Sequence, residues 1–85
     1  MRRFISGPTI AALTQTPRMT INYRLRAGRY GPTFFHGRIR YADLAEVEKA
    51  VGLQFTETQI ELAAQGRPGR VLRIPDQQES DHGPS

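Results

Sequence analysis

Eighty-five residues allow one small domain with a single core, and the absence of cysteine rules out a disulfide framework, a thiolate metal site or a thiol nucleophile. Twelve Lys and Arg against eight Asp and Glu leave a net charge of +4, unevenly spread: residues 1–75 hold all twelve cations and five carboxylates, a balance of +7, and the tail holds Asp76, Glu79 and Asp81. No apolar run approaches the ~20 residues that span a bilayer, and the start Met1-Arg2-Arg3 lacks the apolar stretch of ~7–15 residues of a secretion signal, so a cytoplasmic protein without a membrane partner is expected.

Residues 1–18 read as a loosely ordered N-terminal arm. Ile10, Ala11, Ala12 and Leu13 are long enough for a helical turn after Pro8, and Thr16-Pro17-Arg18 breaks it.

Two alternating segments follow. In Met19 to Arg26, Met19, Ile21, Tyr23 and Leu25 share one parity, and Thr20, Asn22, Arg24 and Arg26 the other. In Thr33 to Tyr41, Phe35, Gly37, Ile39 and Tyr41 alternate with Phe34, His36, Arg38 and Arg40. Side chains alternate faces along a strand, so both segments are expected as strands, apolar on one face and basic on the other. Ala27-Gly28-Arg29-Tyr30-Gly31-Pro32 between them is rich in residues that reverse a chain, which makes the pair an antiparallel ribbon.

After the ribbon the period changes to about 3.6. Leu44, Val47 and Val51 share a helix face, Asp43 is a fitting N-cap with Glu46 three residues on, and Gly52 suits the C-terminal end, so a helix is expected over 43–51. Thr56 and Gln59 form a capping box, with Phe55 and Ile60 as its hydrophobic staple. This second helix runs through Leu62, Ala63 and Ala64 and stops at Gly66. Arg67-Pro68-Gly69 reads as a turn and Arg70 to Ile74 as a short strand with Leu72 and Ile74 toward the core. The residues from 76 on hold nothing able to pack and read as a disordered acidic tail.

The expected fold is therefore α+β: a domain over 19–75 in the order ββααβ, with a hairpin, a third short strand and two helices on one sheet face. Its core comprises Ile21, Tyr23, Leu25, Phe35, Ile39, Tyr41, Leu44, Val47, Val51, Leu53, Phe55, Ile60, Leu62 and Leu72. That core is modest, and a homodimer would add stability.

Catalysis has little to rest on. Of the two histidines, His36 on the ribbon and His82 in the tail, His36 has no carboxylate or serine near it in sequence that would make a triad, and one histidine with dispersed acids is short of a metal site. No phosphate-cradling glycine loop occurs, so no cofactor is expected and the chain reads as a non-enzymatic module. The helix pair over 43–65 is not read as a DNA-reading motif, because a recognition helix should show basic and amide residues and this second helix shows Glu57, Thr58, Gln59, Glu61 and Gln65, with no Lys or Arg before Arg67.

The ribbon remains. Arg24, Arg26, Arg38 and Arg40 are expected on one face, with Phe34 and His36 among them, Arg73 alongside, and Arg29 and Tyr30 crowning the turn. Guanidinium groups bind phosphate and stack on rings, and two-stranded ribbons can enter a major groove. The expected function is nucleic-acid binding, to DNA or RNA, through these nine residues. Eleven of the twelve cations are Arg, which a GC-rich coding sequence also produces, so the count alone does not single out phosphate. The alternative is a protein-binding accessory or inhibitor, of the kind phages and plasmids carry, that meets an acidic partner surface.

Overall fold

The N-terminal eighteen residues are not an arm. Arg2–Ser6 forms strand β1, with Phe4, Ile5 and Ser6 buried, and Gly7–Thr14 follows at once as helix α1. Ser6 stands at the helix N-cap and Pro8 in the first turn, where a missing N–H costs nothing. The computed structural model describes residues 1–66 and 71–75; the turn expected at Arg67-Pro68-Gly69 and the acidic tail lie outside them.

The larger correction is Arg18–Arg26, which is helix α2 and not a strand. Ile21 and Leu25, four residues apart, are its buried pair, while Met19 is 83% and Tyr23 59% exposed. The alternation of that segment was real, but half of its apolar members face water. Over so short a span a period of two and a helical i, i+4 pair both fit Ile21 and Leu25.

The second expected strand is itself a hairpin: β2 (Thr33–His36) and β3 (Ile39–Asp43) pair antiparallel, with His36 opposite Ile39 and Phe34 opposite Tyr41. Gly37 has φ +66°, the positive value that a type II′ turn needs at its first central position. That turn flips the parity. Phe34 and His36 therefore share a face with Ile39 and Tyr41, and Phe35 shares one with Arg40, the reverse of the continuous-strand expectation for Phe34, His36 and Arg40.

The downstream helices are α3 (Leu44–Val51) and α4 (Glu57–Ala64), close to the expected limits. Asp43 accepts from the Ala45 N–H (2.9 Å), and Gly52 ends α3 with φ +76°. At α4 the Thr56 hydroxyl accepts from the Gln59 N–H (3.1 Å) and the Gln59 side chain accepts from the Thr56 N–H (2.8 Å). Strand β4 (Leu72–Ile74) completes the described chain.

The element order is thus βααββααβ, and the strands form one antiparallel sheet in the order β2-β3-β1-β4. Its centre is β1, paired with β3 through Phe4–Asp43 to Ser6–Tyr41 and with β4 through Arg2–Ile74 to Phe4–Leu72. One core joins Ile5 and Ala42 of the sheet to Ile10 of α1, Ile21 and Leu25 of α2, Leu44 and Val47 of α3, Ile60 of α4 and Tyr30 of the loop after α2. Tyr23, Phe35, Leu53 and Leu62, expected in this core, are exposed. On the other sheet face Phe34 meets Phe4 edge-on (5.1 Å between centroids) and stacks on Tyr41 (5.9 Å). Leu72 and Ile74 fall on that face too, so β4 turns Arg73, not its apolar residues, toward the helices.

Candidate nucleic-acid interface

Helices α1 and α2 are joined by three residues, Gln15, Thr16 and Pro17. Gln15 is left-handed (φ 52°), and the Thr16 N–H reaches the Ala11 carbonyl (3.0 Å) while the Gln15 N–H reaches that of Ala12 (3.4 Å). This Schellman closure satisfies the last carbonyls of α1 and swings the chain into α2 at once. Pro17 then opens α2, its carbonyl accepting from the Ile21 N–H (3.1 Å). Ile10 of α1 and Ile21 and Leu25 of α2 lie in one buried cluster, which locks the two helices as a helix–turn–helix pair.

Burying Ile21 and Leu25 leaves Met19, Asn22, Tyr23 and Arg26 exposed at i, i+3, i+4 and i+7. Met19, Tyr23 and Arg26 form a stripe along the outer side of α2, and Asn22 stands on its flank toward Gly7. Of the four, only Arg26 is expected at a site from the sequence. The signal that would have found the rest is the same Ile21/Leu25 spacing, read as helical after Pro17 and before the Ala27-Gly28 stop.

The hairpin stands beside α2. Between it, α2 and the start of α1 lies an open cleft of ≈ 200 Å³, lined among others by Arg18, Asn22, Phe35, Arg38 and Arg40. A Cβ added to Gly7 would sit 3.5 Å from Asn22 Oδ1 and 3.3 Å from Leu25 Cδ1, so α1 begins tight against the inner edge of α2. Arg40 lies over the Phe35 ring (4.6 Å to the centroid) and donates to the Thr33 hydroxyl (3.0 Å), which fixes its guanidinium on the cleft wall. Arg38 occupies the hairpin turn and is exposed.

The cations divide into two populations. At the β1–β4 side, Arg2 pairs with Asp43 (2.6 Å), Arg3 with Glu57 (2.7 Å), and Arg73 with both Glu57 and Glu61. Hydrogen bonds donated by Arg73 and then Arg3 hold the Glu57 carboxyl below its ordinary value. Around α2 and the hairpin, Arg18, Arg26, Arg29 and Arg38 make no side-chain hydrogen bond or ion pair among the described residues. The reason is written in the chain: residues 1–42 contain eight arginines and not one Asp or Glu.

Of the nine residues expected to form a site, Arg24, Arg26 and Arg29 lie on α2 and its exit, and Arg38 and Arg40 on the hairpin beside it. Arg24 is half-buried and donates to the Tyr30 hydroxyl (3.4 Å). Tyr30, expected as an exposed stacking ring, is 1% exposed and belongs to the core, because the turn after α2 folds it inward. Phe34 and His36 are on the opposite sheet face, His36 meeting Tyr41 edge-on (6.3 Å). Arg73 is held by α4, away from the hairpin arginines. Arg18, Met19, Asn22, Tyr23 and Phe35 join the surface in their place. No protein-family model matches this chain, and no curated protein or solved structure does either.

Proposed function

We propose that this protein binds double-stranded DNA, with α2 in the major groove and the β2–β3 hairpin against the neighbouring backbone. The observation that carries this reading is that α2, the second helix of a helix–turn–helix pair, stands beside the hairpin across a cleft lined by Arg18, Arg38 and Arg40, with Arg18, Arg26, Arg29 and Arg38 unpaired among the described residues. A B-form major groove about 12 Å wide admits one helix, and the first helix of such a pair crosses the backbone while the second meets base edges. Arg18, Arg29 and Arg38 frame α2 and suit phosphate binding; the Arg40 guanidinium, already oriented by Phe35, suits it too.

The test is fluorescence anisotropy on a labelled duplex across a salt series. A log–log affinity slope of several units is expected, and the double variant Arg18→Ala with Arg38→Ala should lower its magnitude by about 1.8, roughly 0.9 for each phosphate no longer neutralised. Double-stranded RNA should bind more weakly, because its deep, narrow major groove does not admit a helix. Absence of any complex at low salt, or a double variant that binds like the parent, ends this reading. An acidic protein surface makes the same demand on the arginines but none on Asn22 or Tyr23. Weaker binding on substituting those two separates DNA from that alternative.

A further inference from the structure

The cleft between α2, the hairpin and the start of α1 carries a charge that its own walls do not balance. Arg18 reaches it from α2 and Arg38 and Arg40 from the hairpin, while none of the residues lining its ≈ 200 Å³ is an Asp or Glu. Arg18 and Arg38 make no side-chain hydrogen bond or ion pair among the described residues. Arg40 lies over Phe35 and donates one bond, to the Thr33 hydroxyl, which orients its guanidinium and leaves the other N–H donors unused among the described residues. Asn22 stands in the same cleft, with its Oδ1 toward Gly7 and its amide unbonded among the described residues. A concave surface of one sign of charge focuses the field and raises the local concentration of counter-ions.

We infer that this cleft binds a phosphate monoester: the terminal phosphate of a 5′-phosphorylated nucleic-acid end, or that of a free mononucleotide. The site goes beyond the duplex reading and does not depend on it. A phosphate monoester carries about −1.5 to −2 charge at pH 7 and three terminal acceptor oxygens. A phosphate inside a strand carries a single charge and leaves only two oxygens outside the bridge. Three guanidiniums around one small cleft match the first in charge and leave a surplus with the second. Each also presents a planar fork that meets phosphate oxygens two at a time. Shape points the same way. The cleft is bounded on three sides, so it receives a projecting end more readily than a strand that must enter and leave. Its volume is below the ≈ 300–1,000 Å³ of pockets that enclose a drug-sized ligand, which suits a phosphate held inside with the rest of the nucleotide outside. The start of α1 on the third side adds the positive end of a helix dipole.

The experiment uses the full-length protein and duplexes of one sequence, labelled at the far end, whose near 5′ end carries a phosphate, a methylated phosphate or a hydroxyl. The phosphate end should bind about 10-fold tighter than the hydroxyl end, which one charge-assisted hydrogen bond supplies. The methylated phosphate keeps the size but loses a charge, and should bind close to the hydroxyl end. The preference should vanish in Arg38→Ala and return in part in Arg38→Lys, which keeps the charge without the fork. Arg29 does not line the cleft, so Arg29→Ala should weaken all three duplexes alike and keep the preference. Arg29 and Arg38 are exposed, so the variants should keep the parent's circular dichroism and melting temperature. Calorimetric titration of deoxyadenosine 5′-monophosphate into parent and Arg38→Ala forms the second arm.

A mononucleotide that binds through Arg38 as tightly as the phosphorylated duplex identifies the free nucleotide as the ligand, and one that binds at least about 10-fold more weakly identifies the nucleic-acid end. Equal affinity for the three duplexes, together with no mononucleotide binding, overturns the site while leaving DNA binding standing. A response that is the same in parent and Arg38→Ala overturns it as well. Failure of every duplex to bind at low salt, with a mononucleotide that still binds through Arg38, overturns the duplex reading and leaves the site. Failure of both ligands overturns both.

Discussion

Single residues carry two kinds of tension in this molecule, one of backbone and one of charge. Gln15 is the one non-glycine residue with positive φ among those described, and it sits where helices usually place glycine. A side chain in the left-handed region costs about 1 kcal/mol, so Gln15→Gly should raise stability by a fraction of that, offset in part by the freer unfolded chain. Chemical unfolding of the two proteins checks it; a lower midpoint for the glycine variant would mean the Gln15 side chain holds something the turn needs. Glu57 carries the charge tension. Arg73, then Arg3, lower its pKa, so the folded state binds its proton less readily than the unfolded chain. The stability this provides is complete above the unfolded value, near 4.5, and is lost as pH falls through the lower folded value. Glu57 is half exposed and its pairs are screened, which limits their worth to about 1 kcal/mol or less. Comparing urea midpoints of the parent and Glu57→Gln from pH 7 to pH 3 should show a gap above pH 4.5 that closes in acid. Parallel curves would show that the pairs stabilise nothing.

At the scale of elements, what decided legibility was whether start, face and stop agreed. They agreed for α3 and α4: Asp43 with Gly52 and Thr56 with Gln59 are local signals, set by backbone groups that any helix end must satisfy. The same physics gives their sensitivity. Thr56→Ala removes the capping bond to the Gln59 N–H and should cost about 1 kcal/mol. Asp43→Ala should cost as much or more, since one carboxylate both caps α3 and holds Arg2. Arg2→Ala should cost less, which thermal melts of the three variants would rank. For α2 the signals disagreed. Its cap is a proline without a side-chain acceptor, and its exposed stripe holds a methionine and a tyrosine that mimic a buried strand face. Those residues violate the rule of apolar inside at the surface proposed to meet DNA, where a local rule is most readily set aside. The hairpin was misread for a smaller reason: one glycine, Gly37, reverses the chain and exchanges the two faces. The arginines were therefore legible as a set, while the platform that gathers them was not.

The molecule as a whole is closed by its two ends. Among the described residues β1 is the first element and β4 the last, and they pair with each other beside β3. No reading of local periodicity could have placed Arg2–Ser6 at the sheet centre, because five residues beginning with two arginines resemble an exposed terminus until their partners arrive from residues 41–43 and 72–74. This topology makes a strong demand on the N-terminus. A chain beginning at Met19 would lack the central strand, the first helix of the helix–turn–helix pair, and Ile5, Ile10 and Ala11 of the core. β4 would have no neighbour, and β2 with β3 would be a lone two-stranded hairpin, marginal in water at best. Such a chain should show no cooperative unfolding and no DNA binding, whereas a chain cut only before Arg2 should keep both. Hydrogen exchange on the intact protein offers the same test without truncation. The buried Ile5 lies in the middle strand, so its amide should exchange only through global unfolding, with a protection free energy equal to that from denaturant titration. An Ile5 amide that exchanges well before the α3 amides would mean that the N-terminal strand opens by itself, and the two chain ends would not then be one cooperative unit.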